Sequence, residues 1–312
     1  MRAIGQDTLG GPEVLKIVEI DRPQPGPSEV LVRVHAAGVN PTDWWHRASG
    51  GLLNPGQPIP LGWDVSGVVE EVGLGVTMYR PGDEVFGMPR LPEPAGAYAE
   101  FMTSPARHLA RKPAGLPHVE AAALPIAALT AWQSLVDTAD VRPGQRVLVH
   151  AAAGGVGHLA VQIAKARGGY VIGTASGPKH AFVRGLGADE VIDYTRTDFV
   201  TAAQDIDVVL DTIGGDYGPR SLKTLRPGGI VVSLASPAEA PLAAIAERQG
   251  LRAGFTIVEP DNGGLKEIAA LIEAGELRVE VETVLPLEQA SKAHELGESG
   301  RTKGKIVLSV AA

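Results

Sequence analysis

The sequence predicts an α/β protein: a doubly wound parallel sheet joined to a second domain built mostly of β-strands. Three observations predict it. From Arg146 to about Val258, short and nearly continuous apolar strands alternate with helical stretches, the pattern of a parallel sheet covered on both faces. The first of these strands, Arg146-Val147-Leu148-Val149-His150, runs straight into Ala151-Ala152-Ala153-Gly154-Gly155-Val156-Gly157, with an apolar stretch at helical spacing behind it. The portion before residue 120 has another texture, short strands punctuated by Gly and Pro, which fits an all-β barrel or sandwich.

Taken in order, Glu13–Glu19, Glu29–Ala36, Ser66–Val72, Asp83–Gly87 and Ala97–Thr103 are β-like. Clusters such as Pro23-Gln24-Pro25-Gly26-Pro27 and Arg80-Pro81-Gly82-Asp83 supply turns between them. Near Val119 the texture changes, and Glu120–Leu124 and Leu129–Trp132 carry helical periodicity. The apolar strands that follow are Val147–Val149, Tyr170–Thr174, Glu190–Ile192, Val208–Asp211 and Ile230–Leu234. Phe255–Val258 is read as a sixth, edge strand, which needs either a loop over it or a second copy beside it, hence a homodimer joined edge to edge. Beyond Pro260, Leu265–Glu273 makes an amphipathic helix closed by Gly275, Leu287–Glu298 makes another, and Lys305–Val310 is a closing strand. This tail is too short for a domain of its own, so it is expected to rejoin the first. The domains are then 1–122 with 260–312, and 123–259, with the ligand cleft expected between them.

Composition narrows the function. A chain of 312 residues, 44% hydrophobic and 21% charged, is that of a globular protein with a sizeable core. A formal charge of −8 gives no electrostatic footprint for nucleic acid. No apolar run approaches a membrane span and the chain opens on strand-like sequence, so a cytoplasmic protein is expected. The absence of cysteine removes disulfides, thiolate zinc sites, iron–sulfur ligation and a cysteine nucleophile together.

The glycine turn points to a dinucleotide. Gly154 is expected to let the backbone turn tightly, Gly155 to let it approach phosphate oxygens, and Gly157 to let the helix pack on the strand. The pyrophosphate then meets free N–H groups, that of Val156 among them, at a helix N-terminus. Ala152 stands where the first glycine of the usual pattern would be, and the plain alternative is a Gly-rich turn in an ordinary α/β protein. The strand before it, the helix after it and the complete βαβ unit favour the dinucleotide. The next strand runs out into Thr174-Ala175-Ser176-Gly177-Pro178-Lys179-His180 with no acid to hold both ribose hydroxyls. Ser176 can donate to a 2′-phosphate and Lys179 can neutralise it, so NADPH is the predicted cofactor.

Several ordered blocks carry a resemblance across essentially the whole chain: Ala37-Gly38-Val39-Asn40-Pro41-Thr42-Asp43, Leu61-Gly62-Trp63-Asp64-Val65-Ser66-Gly67-Val68-Val69 and Gly82-Asp83-Glu84-Val85-Phe86-Gly87. Further along come Ala128-Leu129-Thr130-Ala131-Trp132, the glycine turn, Leu186-Gly187-Ala188-Asp189, Asp211-Thr212-Ile213-Gly214-Gly215 and Gly304-Lys305-Ile306-Val307-Leu308. In this order they resemble the medium-chain dehydrogenase/reductase superfamily, in particular its zinc-free quinone oxidoreductase branch. The resemblance implies a GroES-like barrel in two sequence pieces around a Rossmann domain. It also implies hydride transfer from NADPH to a small molecule, a quinone or an α,β-unsaturated carbonyl. An enoyl reductase acting on a biosynthetic or polyketide intermediate, and a non-catalytic NADPH-binding protein, are the alternatives.

Zinc-dependent relatives of that superfamily would place a cysteine at Asn40, a histidine at Trp63 and a third ligand at Ile126. None of these three side chains is a tight zinc ligand, and Met88–Gly96 is a short Pro-rich loop where the structural zinc lobe would be. No metal is therefore expected. By resemblance, the loop holding Asn40 and Asp43 faces the nicotinamide, so Asn40 either donates a hydrogen bond to cofactor or substrate or scaffolds the loop as an Asx turn. Asp43 is expected to cap a helix or brace the loop, and Asp64 to make structural hydrogen bonds. Trp44, Trp45 and Trp63 pack in the core, or at least one lines the site as an apolar wall. Trp45 lies near the place where family members offer a tyrosine, and solvent is then the expected proton donor. Thr130, Thr174, Tyr194, Ile213, Leu234, Ala235, Phe255 and Ile257 complete the expected cofactor contacts, with Lys305 a further candidate for the phosphates.

Overall fold

A computed structural model describes residues 1–51, 53–234 and 242–310. The chain divides into two compact units. The first comprises Met1–Leu129, Glu259–Glu273 and Val279–Ala312, and the second Thr130–Val258 with Ala274–Arg278.

The first unit is organised around the long strand Glu29–Val39, whose residues Val30, Leu31, Val32 and Val34 are all buried. Such a run, apolar on both faces, needs partners on both edges. It pairs antiparallel with Asp64–Val72 along nearly its whole length, with Phe101–Pro105 along its first part and with Lys305–Ser309 along its last. The seven-stranded sheet is completed by Glu84–Gly87, Leu109–Arg111 and Val281–Pro286. The C-terminal strand thus sits beside the N-terminal sequence it was expected to rejoin. Ala36, Ala122, Ala123 and Val307 form a cluster of small buried side chains under the helix His118–Ala122.

Several boundaries differ from the sequence reading, each for a local reason. Pro12–Val14 is a 3-10 turn with proline at its start, so the strand expected from Glu13 begins only at Lys16 and pairs with Arg2–Gly5. Ala99 makes a single bridge to Ala3, and the strand expected at Ala97–Thr103 lies instead at Phe101–Pro105. Most consequential, the stretch after Asn40 is a helix, Pro41–Ser49, not a loop. Asn40 is its N-cap, Pro41 its first residue, and Asp43 turns back so that its carboxylate accepts the Asn40 backbone N–H at 2.7 Å. Gly50 closes it at φ 79°, a conformation that costs glycine little.

Among the described residues the second unit holds a six-stranded, all-parallel sheet. Numbered in sequence, its strands Arg146–Val149, Tyr170–Ala175, Glu190–Asp193, Ile206–Asp211, Leu225–Ser233 and Arg252–Phe255 lie in the order 3-2-1-4-5-6. Leu148, Ile172, Val209 and Val231 are fully buried, as parallel strands covered on both faces require. The edge strand exists but sits three residues earlier than Phe255–Val258. Its register is fixed by pairing Ile230 with Arg252 and Ser233 with Phe255, and Thr256–Val258 continue past its end. Among the described residues no helix is long and apolar enough to cross a membrane.

Candidate functional site

In the second unit the chain order reverses between strand Arg146–Val149 and its neighbours Tyr170–Ala175 and Ile206–Asp211. In open parallel sheets ligands bind beyond the carboxyl ends of strands at such a switch point. The glycine turn occupies that place. The helix Gly157–Ala166 behind it has no side-chain N-cap hydrogen bond, but the His158 and Leu159 N–H groups bond the Gly154 and Val156 carbonyls, so an anion would be met by the N–H groups ahead of them in the turn.

The turn is built differently from the expectation. Ala151, not Gly154, takes the left-handed conformation, at φ 45°, and neither Gly154, Gly155 nor Gly157 has positive φ. Ala151 N–H is held by the Thr174 hydroxyl at 3.2 Å, and Ala152 N–H by the Thr174 carbonyl at 2.9 Å. Gly157 does have the expected role: a Cβ there would lie 2.2 Å from the Ala151 carbonyl oxygen and 2.8 Å from Ala152 Cα. Thr174, expected against the cofactor, is 1% exposed and braces the turn from beneath. Below it lies His150, fully buried, within hydrogen-bond reach of the Thr174 and Ser221 hydroxyls and edge-on to Phe199 and Tyr217. Burial, helped by nearby Arg220, pushes its pKa down to about 3, so it is neutral.

Beyond strand Tyr170–Ala175, Ser176, Gly177 and His180 line one recess with Asp193, Thr195, Arg196 and Thr197. Lys179 ends the short 3-10 turn Gly177–Lys179 beside it, and Tyr194 is half-exposed in the loop that carries Arg196. Two of these residues escaped the sequence reading because they come from the next strand. Asp193 supplies an acid where the preceding strand has none, but its carboxylate accepts from both the backbone and hydroxyl of Thr195. Arg196 stands 3.9 Å from that carboxylate and is mostly exposed. Ile213, Phe255 and Ile257 are all partly exposed near strand ends, and Leu234 N–H bonds the Asp211 carbonyl. Ala235 lies outside the described residues.

The first unit holds a second constellation. Asn40 is 2% exposed and Thr130, at the edge of the second unit, 7%. Asn40 Nδ2–H donates to Asp64 Oδ2 at 2.8 Å, and Asn40 Oδ1 accepts from the Lys305 ammonium. Lys305 also donates to the Val39 carbonyl at 3.1 Å and to Asp64 Oδ2 at 3.4 Å. Its three N–H groups are committed there, so the phosphate contact expected of it is replaced by this cluster. Asp64 further accepts the Ile126 N–H at 2.7 Å. Asp43 takes the N–H groups of Asn40 and Gly62, yet burial and then the nearby Asp64 charge push its pKa up to about 7 against those bonds and Lys305.

The tryptophans separate. Trp63 is fully buried, its indole N–H bonded to the Glu93 carbonyl at 2.8 Å, which is a packing position. Trp45 is 46% exposed, and His46 lies between the two indoles. Tyr98, which no signal along the chain singles out, contacts His294 Nε2 at 3.4 Å, and its hydroxyl helps to hold the Asp43 carboxylate charged against burial. Arg47 reaches His294, the Gly10 carbonyl and Glu298, tying helix Pro41–Ser49 to helix Ala290–Glu298. Among the described residues, no group of three or more His, Cys, Asp or Glu is arranged to hold a metal ion.

Comparison with known proteins agrees with both halves. Residues 26–114 match the family model of the alcohol dehydrogenase GroES-like domain, and residues 186–308 that of the zinc-binding dehydrogenases. The chain is 37% identical to a 2-haloacrylate reductase of a Burkholderia species over 325 residues, which covers 96% of each chain. The quinone oxidoreductase of Coxiella burnetii superposes with a TM-score of 0.93 at 36% identity, covering 100% of this chain and 99% of that one. The Escherichia coli quinone oxidoreductase, solved with NADPH, follows at 0.87 and 30%, covering 99% and 100%. With the ordered sequence blocks, the GroES-like unit and the 3-2-1-4-5-6 parallel sheet, these likenesses place the chain in the medium-chain dehydrogenase/reductase superfamily, in its quinone oxidoreductase branch, a family of NAD(P)H-dependent oxidoreductases.

Proposed function

We propose that the protein uses NADPH, without zinc, to reduce a quinone or the C=C bond of an α,β-unsaturated carbonyl by direct hydride transfer. The observation that carries the cofactor half is the recess at the end of strand Tyr170–Ala175. Ser176 and Arg196 line it and bring one hydroxyl and one cation to a 2′-phosphate, and Lys179 ends the turn beside it. Asp193 opposes them, but its lone pairs are partly used by Thr195. The zinc half rests on residue chemistry. Asn40 and Trp63 are tied up by hydrogen bonds, and Ile126 has no donor atom to offer a metal. Without a Lewis acid, alkoxide chemistry on a simple alcohol lacks support, whereas hydride addition to a conjugated system places its charge in a delocalised enolate. The reading assigns residues 1–122 and 260–312 to substrate handling and 123–259 to the cofactor, with Trp45 as an apolar wall.

A panel of quinones, enals, enones and enoyl thioesters, assayed with NADPH and NADH and with chelator present, tests the proposal. NADPH should exceed NADH in kcat/KM by about tenfold or more, and chelator should leave turnover unchanged. Arg196→Ser should erode the NADPH preference and leave NADH kinetics alone. Equal use of the two cofactors by the unaltered protein, or turnover that requires stoichiometric zinc, would overturn that half of the reading. The same reading takes the protein as a cytoplasmic homodimer paired through strand Arg252–Phe255, which among the described residues has a sheet neighbour on one side only. Light scattering should return twice the chain mass of 32.5 kDa, and a proline placed at Ala253 should return the monomer.

A further inference from the structure

Strand Tyr170–Ala175 ends on an alanine, and its parallel neighbour Glu190–Asp193 ends on an acid. The register sets the two ends side by side, Asp193 opposite Ala175, so a carboxylate arrives from the neighbouring strand where Tyr170–Ala175 has none. A Cβ on Gly177 would lie 3.0 Å from Asp193 Oδ2, which puts that oxygen against the turn that follows Ser176. The recess, about 560 Å³ in volume, is lined by Ser176, Gly177 and His180 together with Asp193 and Arg196. All of these residues belong to the second unit.

The two oxygens of that carboxylate are employed differently. Oδ1 accepts the Thr195 backbone N–H at 3.0 Å and the Thr195 hydroxyl at 2.6 Å, which fixes the side chain. No described residue donates a hydrogen bond to Oδ2, and Arg196 Nε, 3.9 Å from it, is beyond hydrogen-bond distance. The Thr195 hydroxyl above all, then its N–H and the neighbouring His180 and Arg196, hold the carboxyl below its ordinary value against the effect of burial. Asp193 is therefore ionised at neutral pH. A side chain that only braced the turn would need Oδ1 alone. Oδ2 is a fixed, charged acceptor at the rim of a recess, suited to a hydroxyl and hostile to a phosphate.

We propose that Asp193 is a specificity-determining residue: its Oδ2 accepts the adenosine ribose 2′-hydroxyl of NADH, and its charge limits the preference for NADPH. The proposal rests on the reading of this recess as the place of the 2′-phosphate. It adds that the recess carries both answers to the same question. Arg196 and Ser176 meet the phosphate, and Asp193 meets the hydroxyl that stands there when the phosphate is missing. Specificity is a difference of two affinities, and the acid works on both of them in opposite directions. The chain thus keeps a working site for NADH while favouring NADPH.

Calorimetric titration of the full chain with NADPH and with NADH, at low and at high salt, tests this and needs no acceptor. Asp193→Asn keeps the size of the side chain and an oxygen for Thr195 but removes the charge. It should tighten NADPH by roughly threefold to tenfold and weaken NADH by about the same factor. The gain for NADPH should shrink as salt rises, because the repulsion it relieves is screened. Loss of a merely structural contact would weaken both dinucleotides, so a fall in both, or no change in either, overturns the proposal. If Asp193→Asn fails to fold, Thr195→Val decides. It loosens the carboxylate without discharging it, so NADH should weaken by about threefold or more and NADPH should not; an equal change in both overturns the proposal. Equal affinity of the unaltered protein for the two dinucleotides would sink the NADPH preference, and the opposite shifts on Asp193→Asn would still uphold the role of the acid. Binding of neither would overturn both.

Discussion

Gly157→Val should abolish dinucleotide binding and destabilise the second unit. The new Cβ would meet the Ala151 carbonyl oxygen at 2.2 Å and Ala152 Cα at 2.8 Å, and both are backbone atoms that no rotamer change can move aside. The helix Gly157–Ala166 must therefore shift away from strand Arg146–Val149, carrying its N-terminal N–H groups with it. Overpacking of this kind costs about 1–3 kcal/mol. Loss of the anion-binding geometry should weaken the dinucleotide by roughly 100-fold or more. Calorimetric titration and thermal melts read the two effects separately. Gly154→Ala is the companion variant, because its Cβ would meet only the Ala151 oxygen, at 3.2 Å. It should fold with little loss of stability, so a drop in affinity there reports close phosphate approach. A Gly157→Val protein that binds NADPH like the parent would sink the account of the turn.

Acidification from pH 7 to pH 5 should destabilise the protein by a net ~2–4 kcal/mol, seen as a fall in Tm on the order of 5–10 °C. Three histidines lead, and burial lowers His35, His46 and His108 in the same direction. Burial holds His150 and His294 at pKa values of about 3 and His118 at about 4, with the charges of Arg220, Arg47 and the neighbouring His35 adding to it. Each is neutral in the fold and protonates near pH 6.5 when unfolded, so the unfolded chain binds the extra protons. Stability is therefore complete above pH 6.5 and falls as pH drops toward the folded values, by about 2 kcal/mol per histidine at pH 5 before allowance for solvent. Asp43 acts in the opposite sense, and so does Asp64, which burial also pushes up. The Asp43 pKa, raised from 3.8 to about 7, makes the folded state the better proton acceptor between those values and offsets roughly one histidine. His118 illustrates why burial wins: it lies between the Ser66 hydroxyl, itself fully buried, and Glu84, in series like a hydrolase triad but closed to any substrate. His150→Gln should flatten the acid limb by about a third; an unchanged limb would remove His150 from the explanation.

Much of the site was legible in the sequence. Gly157 after an apolar strand meant close packing of helix on strand, and that packing is present. The alternation of strand and helix from Arg146 onward meant a parallel sheet, because strands buried on both faces must be apolar throughout. Other signals were present but misread. Asn40-Pro41-Thr42-Asp43 is an N-cap, a first-turn proline and a returning acid: the capping role expected of Asp43 is present, but the residues after Asn40 are already helix and not loop.

The rest depended on which distant residues the sheets bring side by side. Pattern along the chain determines that a strand is buried and which way a helix faces, since both follow from local period and backbone sterics. Asp193 and Arg196 reach the recess from a neighbouring strand and the loop after it, and Lys305 meets Asn40 across 265 residues of sequence. Tyr98 joins Asp43 by the same kind of long-range pairing. Side-chain charge and hydrogen bonding act through space over a few ångströms, so only the closed sheets could turn Lys305 from a candidate phosphate ligand into a partner of Asn40 and Asp64.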